Sequence, residues 1–154
     1  MNAHSRPQDG SAPDAGEEHS SLALEVLLLV FRAQGRLATL LAAESRPFHL
    51  TPTEALALIT LARDSSPVSG IARAVGIRPN GASVLVDRLR ERRLVRRQRS
   101  RRDNRVVTVD LTDAGRELAQ TLTDKAADQL RFALAGFSPD ERAQLTTMLR
   151  ELAG

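Results

Sequence analysis

The apolar residues of this chain change their spacing twice, and these changes constrain the fold more than any other feature. In residues 105–111 apolar and polar side chains alternate, with Val107, Val109 and Leu111 on one side of the chain. Such alternation is typical of a half-buried β-strand. Residues 94–100 form a second short run, and the polar sequence SRRDN joins the two. The pattern predicts a two-stranded hairpin inside an otherwise helical chain.

Helical spacing precedes this hairpin. Apolar residues recur every three or four positions from Leu22 to Leu40, which predicts a first helix over about 20–44 with Ser20 or Ser21 as its N-cap. Additional leucines make the first half of this helix apolar on several faces. A helix of that kind should be covered on several faces, and a second subunit is one way to cover it.

Three further helices are predicted before the hairpin. The sequence TPTE at 51–54 is a capping box, and the helix it starts should run to about Arg63. A short helix follows in residues 69–76, with Gly76 as its stop. The next helix begins near Pro79 and should turn four apolar side chains inward, namely Val84, Leu85, Leu89 and, as a further candidate, Val86.

Two helices follow the hairpin. Thr112 caps a long helix that should end at Gly136, and SPDE at 138–141 repeats the capping device for a last helix. The fold class is therefore mainly α with a small β-hairpin wing. The middle of the chain has the order of a winged helix-turn-helix, and further helices lie on its N- and C-terminal sides. Residues 1–19 are polar and rich in Pro, Gly and acidic side chains, which predicts a disordered tail.

Positive charge is concentrated around the hairpin. Ten of the 22 basic residues lie between Arg88 and Arg105, where Glu91 and Asp103 are the only acidic residues, although the whole chain has a net charge of +3. A basic patch on an otherwise acidic body favours contact with a polyanion. Double-stranded DNA is the partner expected for a helix-turn-helix.

Several other classes of function are not favoured. The chain has no cysteine, its three histidines are far apart in sequence, and no metal, cofactor or catalytic motif stands out, so neither an enzyme nor a metal sensor is expected. The apolar run at 22–31 is about half the ~20 residues that span a bilayer. We therefore expect a cytoplasmic protein without a membrane partner.

The predicted DNA contacts lie on two elements. Asn80 and Ser83 stand at the front of the second helix of the helix-turn-helix, just after Arg78, where side chains reach base edges or phosphates. A wing could set its arginines against phosphates or into the minor groove. Asp103 is expected to orient one of them by a charge-assisted hydrogen bond. The wing residues are Arg99, Arg101, Arg102 and Arg105.

The segments LTPTEALALITLA and VSGIARAVGIRPNGASVLVDRLRERRLVRRQRSRRDNRVVTVDLTDAGREL resemble the MarR family of bacterial transcription regulators over about residues 22–152. The wing is the most specific part, with Leu94-Val95, Arg97, Arg99, Asp103-x-Arg105, Leu111-Thr112 and Gly115 in order. Two positions depart from the pattern. Arg93 stands where the family commonly has Gly, and Asn104 stands where it often has a second arginine.

The resemblance implies a homodimer that reads a pseudo-palindromic operator. Residues 20–45 and 113–154 would form the dimerisation region, and residues 46–112 the DNA-binding region, with contacts at Asn80, Ser83, Arg88 and Arg105. It also implies a repressor released by a small aromatic or phenolic effector, for which Phe31, Arg32, Phe48 and His49 could line a pocket or serve as ordinary core and loop residues. The alternative is an RNA-binding or nonspecific DNA-coating protein that uses the same basic wing.

Overall fold

The computed structural model describes residues 15–99 and 105–153, and its element order confirms the predicted fold class. Six α-helices and a two-stranded antiparallel hairpin occur in the described ranges. A 3-10 turn, Arg46–Phe48, follows the first helix. The bounds are α1 (Ala15–Ser45), α2 (Pro52–Leu61), α3 (Val68–Val75), α4 (Pro79–Glu91), β1 (Val95–Arg99), β2 (Val107–Leu111), α5 (Asp113–Ala133) and α6 (Pro139–Ala153).

The predicted caps start the helices that follow them. The Thr51 hydroxyl accepts from the Glu54 amide at 3.2 Å, while the Glu54 carboxylate accepts from the Thr51 amide at 2.8 Å. The same reciprocal pair joins Ser138 and Glu141 at the start of α6. Because each pair satisfies two amides that lack a partner within their helix, it favours helix initiation at that residue.

One apolar core lies beneath α4 and the hairpin. It includes Leu58 of α2, Ile71 of α3 and Leu89 of α4, together with Val109 and Leu111 of β2 and Leu122 of α5. Each element contributes the residues of a single face, as the helical and alternating patterns predict. The core therefore fixes which side of α4 faces outward.

The hairpin is attached to this core at its base. Val95 pairs with Leu111 and Arg99 with Val107 in the antiparallel register. Ser66, in the loop between α2 and α3, exchanges two backbone hydrogen bonds with Val109, at 3.1 and 2.8 Å. This extra bridge ties the wing to the helix-turn-helix. The predicted tip of the wing, residues 100–104, lies outside the described residues.

The first helix is longer than predicted. It begins at Ala15, so Ser20 and Ser21 lie within the helix and the predicted disordered tail is wrong for residues 15–19, while residues 1–14 lie outside the described part of the chain. The polar segment before Ser20 carries no strong signal that fixes where the helix begins, so its start could not be located from the sequence. The fifth helix ends at Ala133, slightly before the predicted Gly136.

Within the described residues the chain divides into two compact units, one that ends at Leu37 and one that begins at Ala38. In the first unit, the described large apolar side chains from Leu22 to Phe31 are exposed. The helical segment His19–Phe48 is long and apolar enough to cross a membrane, with a mean hydropathy of 1.5 over 18 residues. This is weak support for a membrane span, because long helices of soluble proteins and signal sequences meet the same test.

Candidate DNA interface

The core orients α4 by burying one face of it. Ala82, Leu85, Val86 and Leu89 are buried, and the helix packs against α3 and β1. Four residues on the opposite side are exposed, namely Asn80, Gly81, Val84 and Arg88. The prediction that Val84 faces inward is wrong: its side chain is 53% exposed. The residues from 84 to 86 are all apolar, and only the packing decides which of them leaves the core.

The N-terminus of α4 carries unused amide donors. Arg78 is the N-cap residue, with extended backbone angles, and among the described residues no side chain caps this end. Pro79 occupies the first helical position, and Asn80 and Gly81 complete the exposed first turn. Amides at an uncapped helix start point along the helix dipole and favour an anion such as phosphate.

Ser83 lies at the edge of the exposed face of α4. The residue is half-buried, and its hydroxyl donates to the Pro79 carbonyl oxygen at 3.2 Å. The hydroxyl oxygen can still accept a hydrogen bond. Asn80, in contrast, is exposed and offers both amide donors and a carbonyl acceptor. The two side chains are therefore not equivalent, and Asn80 is the more available one.

At least four of the described arginines of the basic cluster have partners inside the protein. Arg90 and Arg97 both lie beside an oxygen of Asp87, at 3.4 and 3.3 Å. Arg96 pairs with Asp110 at 3.3 Å. Arg92 donates to two backbone carbonyl oxygens, those of Phe48 at 2.7 Å and His49 at 2.9 Å. These contacts use part of the positive charge to join α4, the wing and the loop after α1.

Further arginines are exposed at the surface. Arg78, Arg88 and Arg99 are exposed, and none forms an ion pair with a carboxylate within the described ranges. Arg105 is exposed at the start of the returning chain. Arg101, Arg102 and Asp103 lie outside the described residues, so their predicted roles stay predictions. The exposed cations lie on α4, just before it, and along the wing.

Asp110 connects the wing to α5. Its carboxylate accepts from Gln98 at 3.1 Å and lies 3.9 Å from Arg116 of α5. Arg116 also donates to Asp113 at 2.8 Å, and this hydrogen bond lowers the pKa of the Asp113 carboxyl. The same arginine donates to the Leu111 carbonyl oxygen at 3.0 Å. Arg116 thus holds the end of β2 against the first turn of α5.

Comparisons with known proteins agree with this geometry. A family model described as MarR family matches residues 49–105. The chain is 28% identical over 106 residues to the HTH-type transcriptional repressor MdtR of Bacillus subtilis, covering 68% of each protein. It is 31% identical over 109 residues to the uncharacterized HTH-type transcriptional regulator YhbI of Bacillus subtilis, covering 70% of this chain and 68% of the relative. The chain belongs to the MarR family.

Solved structures show the same fold. The structure of CouR from Rhodococcus jostii RHA1, bound to p-coumaroyl-CoA, superposes with a TM-score of 0.76. The match covers 86% of this chain and 94% of CouR, at 22% identity. The protein is therefore a MarR-family transcriptional regulator with a winged helix-turn-helix, as its sequence predicts.

Arg93, the first departure from the MarR-family pattern, affects the backbone geometry of the turn between α4 and the wing. Arg93 has φ 59°, in the left-handed region that glycine adopts without strain. Its carbonyl oxygen accepts from the Thr112 hydroxyl at 2.7 Å, and the Thr112 amide donates to the Leu94 carbonyl oxygen at 3.0 Å. The turn therefore keeps the left-handed geometry, and Arg93 adopts it at some energetic cost.

The residues considered for a MarR-type effector pocket fall in both units. Phe31 and Arg32 belong to the first, where Phe31 is 65% exposed. In the second unit Phe48 is half-buried against the core, and His49 is exposed with a left-handed backbone. Neither the cleft of about 540 Å³ beside β2 nor that of about 410 Å³ beside α4 is lined by Phe48 or His49. The pocket stays a prediction.

Sequence reasoning missed three residues of this surface. Asp87 and Asp110 hold arginines of the cluster, and Val84 lies on the exposed face of α4. The spacing of three between Asp87 and Arg90 on one helix was a usable signal. The contact between Asp87 and Arg97 was not, because it depends on how β1 crosses α4.

Proposed function

We propose that this MarR-family regulator binds a pseudo-palindromic operator as a homodimer and represses transcription until a small aromatic or phenolic effector releases it. The observation that carries the proposal is the exposed face of α4. That face combines an uncapped helix N-terminus, the polar side chain of Asn80 and the cation of Arg88, while the opposite face is anchored in the core. A face of this composition suits insertion into a major groove.

Roles follow from the placement of the side chains. Asn80 and Ser83 would read base edges, since both stand in the first turns of α4. Arg78 and Arg88 would contact phosphates on either side of the groove. The wing arginines, including the two outside the described residues, would add backbone or minor-groove contacts, with Asp103 orienting one of them. These are Arg99, Arg101, Arg102 and Arg105.

The homodimer explains apolar surface that a single chain leaves exposed. Large apolar side chains from Leu22 to Phe31 are exposed on α1, as are Met148, Leu149 and Leu152 on α6. On each of these helices, several exposed large apolar side chains indicate an interaction site. We assign residues 20–45 and 113–154 to dimerisation and residues 46–112 to DNA binding. Two recognition helices would then face half-sites about one helical turn apart.

The effector part of the proposal has two supports. CouR, which shares this fold, is bound to p-coumaroyl-CoA. In this chain Arg92, at the C-terminal end of α4, donates to the carbonyl oxygens of Phe48 and His49. An effector that displaces this loop would also move the end of the recognition helix. Its effect on DNA affinity would equal its preference for the displaced conformation.

The first experiment is selection of genomic fragments by the purified full chain at near-physiological salt, followed by sequencing. Enrichment of an inverted repeat upstream of a gene would support an operator-reading dimer. Retention of DNA without a shared motif would favour nonspecific coating, and preference for RNA over DNA in the same selection would favour the RNA-binding alternative. Sedimentation of the protein, with flotation on anionic liposomes, separates a dimer from a membrane-bound helix.

Variants on α4 test the assigned roles. Asn80→Ala should relax preference at particular base pairs, because it removes a base-edge contact. Arg88→Ala should weaken binding to all DNA sequences similarly and reduce the slope of log K against log salt concentration by about one unit, because it removes a phosphate contact. Arg90→Ala is the matched control: this arginine is paired with Asp87 and should change the slope less. Equal slopes for the two arginine variants would contradict the role of Arg88.

The effector model has its own test. Addition of p-coumaroyl-CoA, the ligand in the CouR structure, should weaken operator binding by the wild-type protein. In Arg92→Ala the same compound should still bind, as measured by a thermal shift, but should release DNA less effectively. Unchanged release in this variant would show that coupling does not pass through the loop at Phe48 and His49.

A further inference from the structure

We propose that Val84 contacts the 5-methyl group of a thymine in the major groove and so makes thymine the preferred base at one position of each half-site. The inference rests on the proposed DNA-binding function and deepens it. Val84 lies at the centre of the exposed face of α4, between Asn80 and Arg88, yet it is branched and apolar. Leu85 and Val86, which follow it on the helix, are buried, so packing turns Val84 outward and leaves its apolar side chain without a role in the core.

The position of Val84 favours a base edge over a phosphate. Val84 lies four positions after Asn80 and four positions before Arg88, which places each pair about 6 Å apart along the helix axis. All three side chains therefore form one stripe on the same side of α4. If Asn80 and Arg88 contact DNA, Val84 between them must face the floor of the same groove.

The residues around Val84 suit a partner that is negatively charged overall but presents a small apolar group to Val84. The shallow cleft beside it is lined by Thr51, Thr53, Gly81 and Arg88. Glu54 also lines the cleft, but its carboxylate accepts from the Thr51 amide within the capping box. The remaining charge, Arg88, is positive. A polyanion that presents a small apolar group matches this combination, and an acidic or purely apolar partner matches only part of it.

Thymine supplies that group in DNA. In the major groove each thymine exposes a C5 methyl group beside its O4 acceptor, and apolar side chains recognise the methyl group. A hydrogen-bonding residue at position 84 could not distinguish thymine from uracil, whereas an apolar one can. Burial of a methyl-sized group corresponds to about a fourfold change in Kd. Val84 would thus add a modest preference that hydrogen bonds cannot supply.

The test is a double-mutant cycle that combines one substitution in the protein with one in the operator DNA. Each thymine of the selected operator is replaced by deoxyuridine, symmetrically in both half-sites, and Kd is measured for the wild type and for Val84→Ala. One replacement should weaken wild-type binding about fourfold per half-site and weaken binding by Val84→Ala less, because the shorter alanine side chain has fewer contacts with the methyl group. Because Val84 is exposed, the alanine variant should fold normally, which a thermal melt verifies.

A matched variant isolates the effect of this valine. Val107 on β2 is 54% exposed, nearly the same as Val84, but it lies on the wing. In Val107→Ala the deoxyuridine penalty should remain as in the wild type. Identical penalties in the wild type and in Val84→Ala, or no penalty at any thymine, would overturn the role of Val84 while leaving specific DNA binding intact. Selection of no shared motif would instead overturn the proposed function, and this inference with it.

Discussion

Replacement of Gly115 by alanine tests how the wing is joined to α5. Gly115 is buried in the first turn of α5. A Cβ atom at this position would overlap the Leu94 backbone oxygen and lie 3.0 Å from the Leu94 carbonyl carbon. Neither atom belongs to a flexible side chain, so β1 and α5 must move apart. The Leu94 oxygen also accepts from the Thr112 amide, and this hydrogen bond would be strained by the same movement.

The expected loss of stability combines two effects. Overpacking of a well-packed site costs about 1–3 kcal/mol. Weakening of the two hydrogen bonds that Thr112 makes to the Leu94 oxygen, at 3.0 and 3.2 Å, adds about 1 kcal/mol each. Alanine is favoured over glycine in a helix by up to about 1 kcal/mol, which offsets part of the loss. We therefore expect Gly115→Ala to lower the free energy of unfolding by about 2–4 kcal/mol.

The assay is urea denaturation followed by circular dichroism, at one fixed protein concentration because dimerisation would make stability depend on concentration. Gly81→Ala is the matched control, since Gly81 occupies the same position in the first turn of α4 and its added Cβ would meet only Ile77 at 3.8 Å. That variant should be as stable as the wild type or slightly more stable. If Gly115→Ala matched it within about 0.5 kcal/mol, the reasoning about the wing junction would be wrong.

Three further predictions concern residues that the sequence alone did not place. Arg93→Gly should raise the free energy of unfolding by about 0.5–1 kcal/mol, because relief of the left-handed strain exceeds the entropy that glycine adds to the unfolded chain; an unchanged urea midpoint would contradict this. Asp87→Asn should increase affinity for non-operator DNA and steepen its salt dependence, since Arg90 and Arg97 lose their internal partner, and a shallower slope in a salt titration would count against it. Glu141 accepts a hydrogen bond from the Ser138 amide, which lowers the pKa of its carboxyl. The stability that this hydrogen bond adds to α6 is therefore fully present above the ordinary glutamate pKa and is lost as the pH falls through the lowered pKa. NMR titration of the Glu141 carboxyl should show the lowered pKa, and amide exchange at Ser138 should become faster over the same pH range.

Local signals predicted most of the elements correctly. The capping boxes at 51–54 and 138–141 form as expected, because the partners lie three residues apart and need no tertiary structure to meet. The alternation in 105–111 predicted β2, and Val109 and Leu111 of its apolar side are buried in the core, although Val107 of that side is exposed and Thr108 of the other side is buried. The start of α1 was predicted five residues too late, because no equivalent signal marks Ala15.

The DNA-binding surface was predicted only in part. The front of α4 could be recognised because Asn80 follows a compact helix-turn unit. The partners of most individual arginines could not be predicted: Arg92, Arg96 and Arg97 appear in the sequence as part of one basic run, but they contact residues on other elements. These contacts join residues 10 to 44 positions apart, so no local pattern encodes them, whereas the spacing of three between Asp87 and Arg90 is local.

The sequence by itself determined the order of helices and strands, the concentration of positive charge and the resemblance to MarR regulators, because periodicity, caps and motifs are all local. Only the tertiary structure decided which arginines are held internally, that Arg93 takes a left-handed backbone and that Val84 faces outward. Each of those depends on how the hairpin and α5 pack against α4. Among adjacent apolar residues of one helix, packing of the neighbouring elements selects the side that is buried.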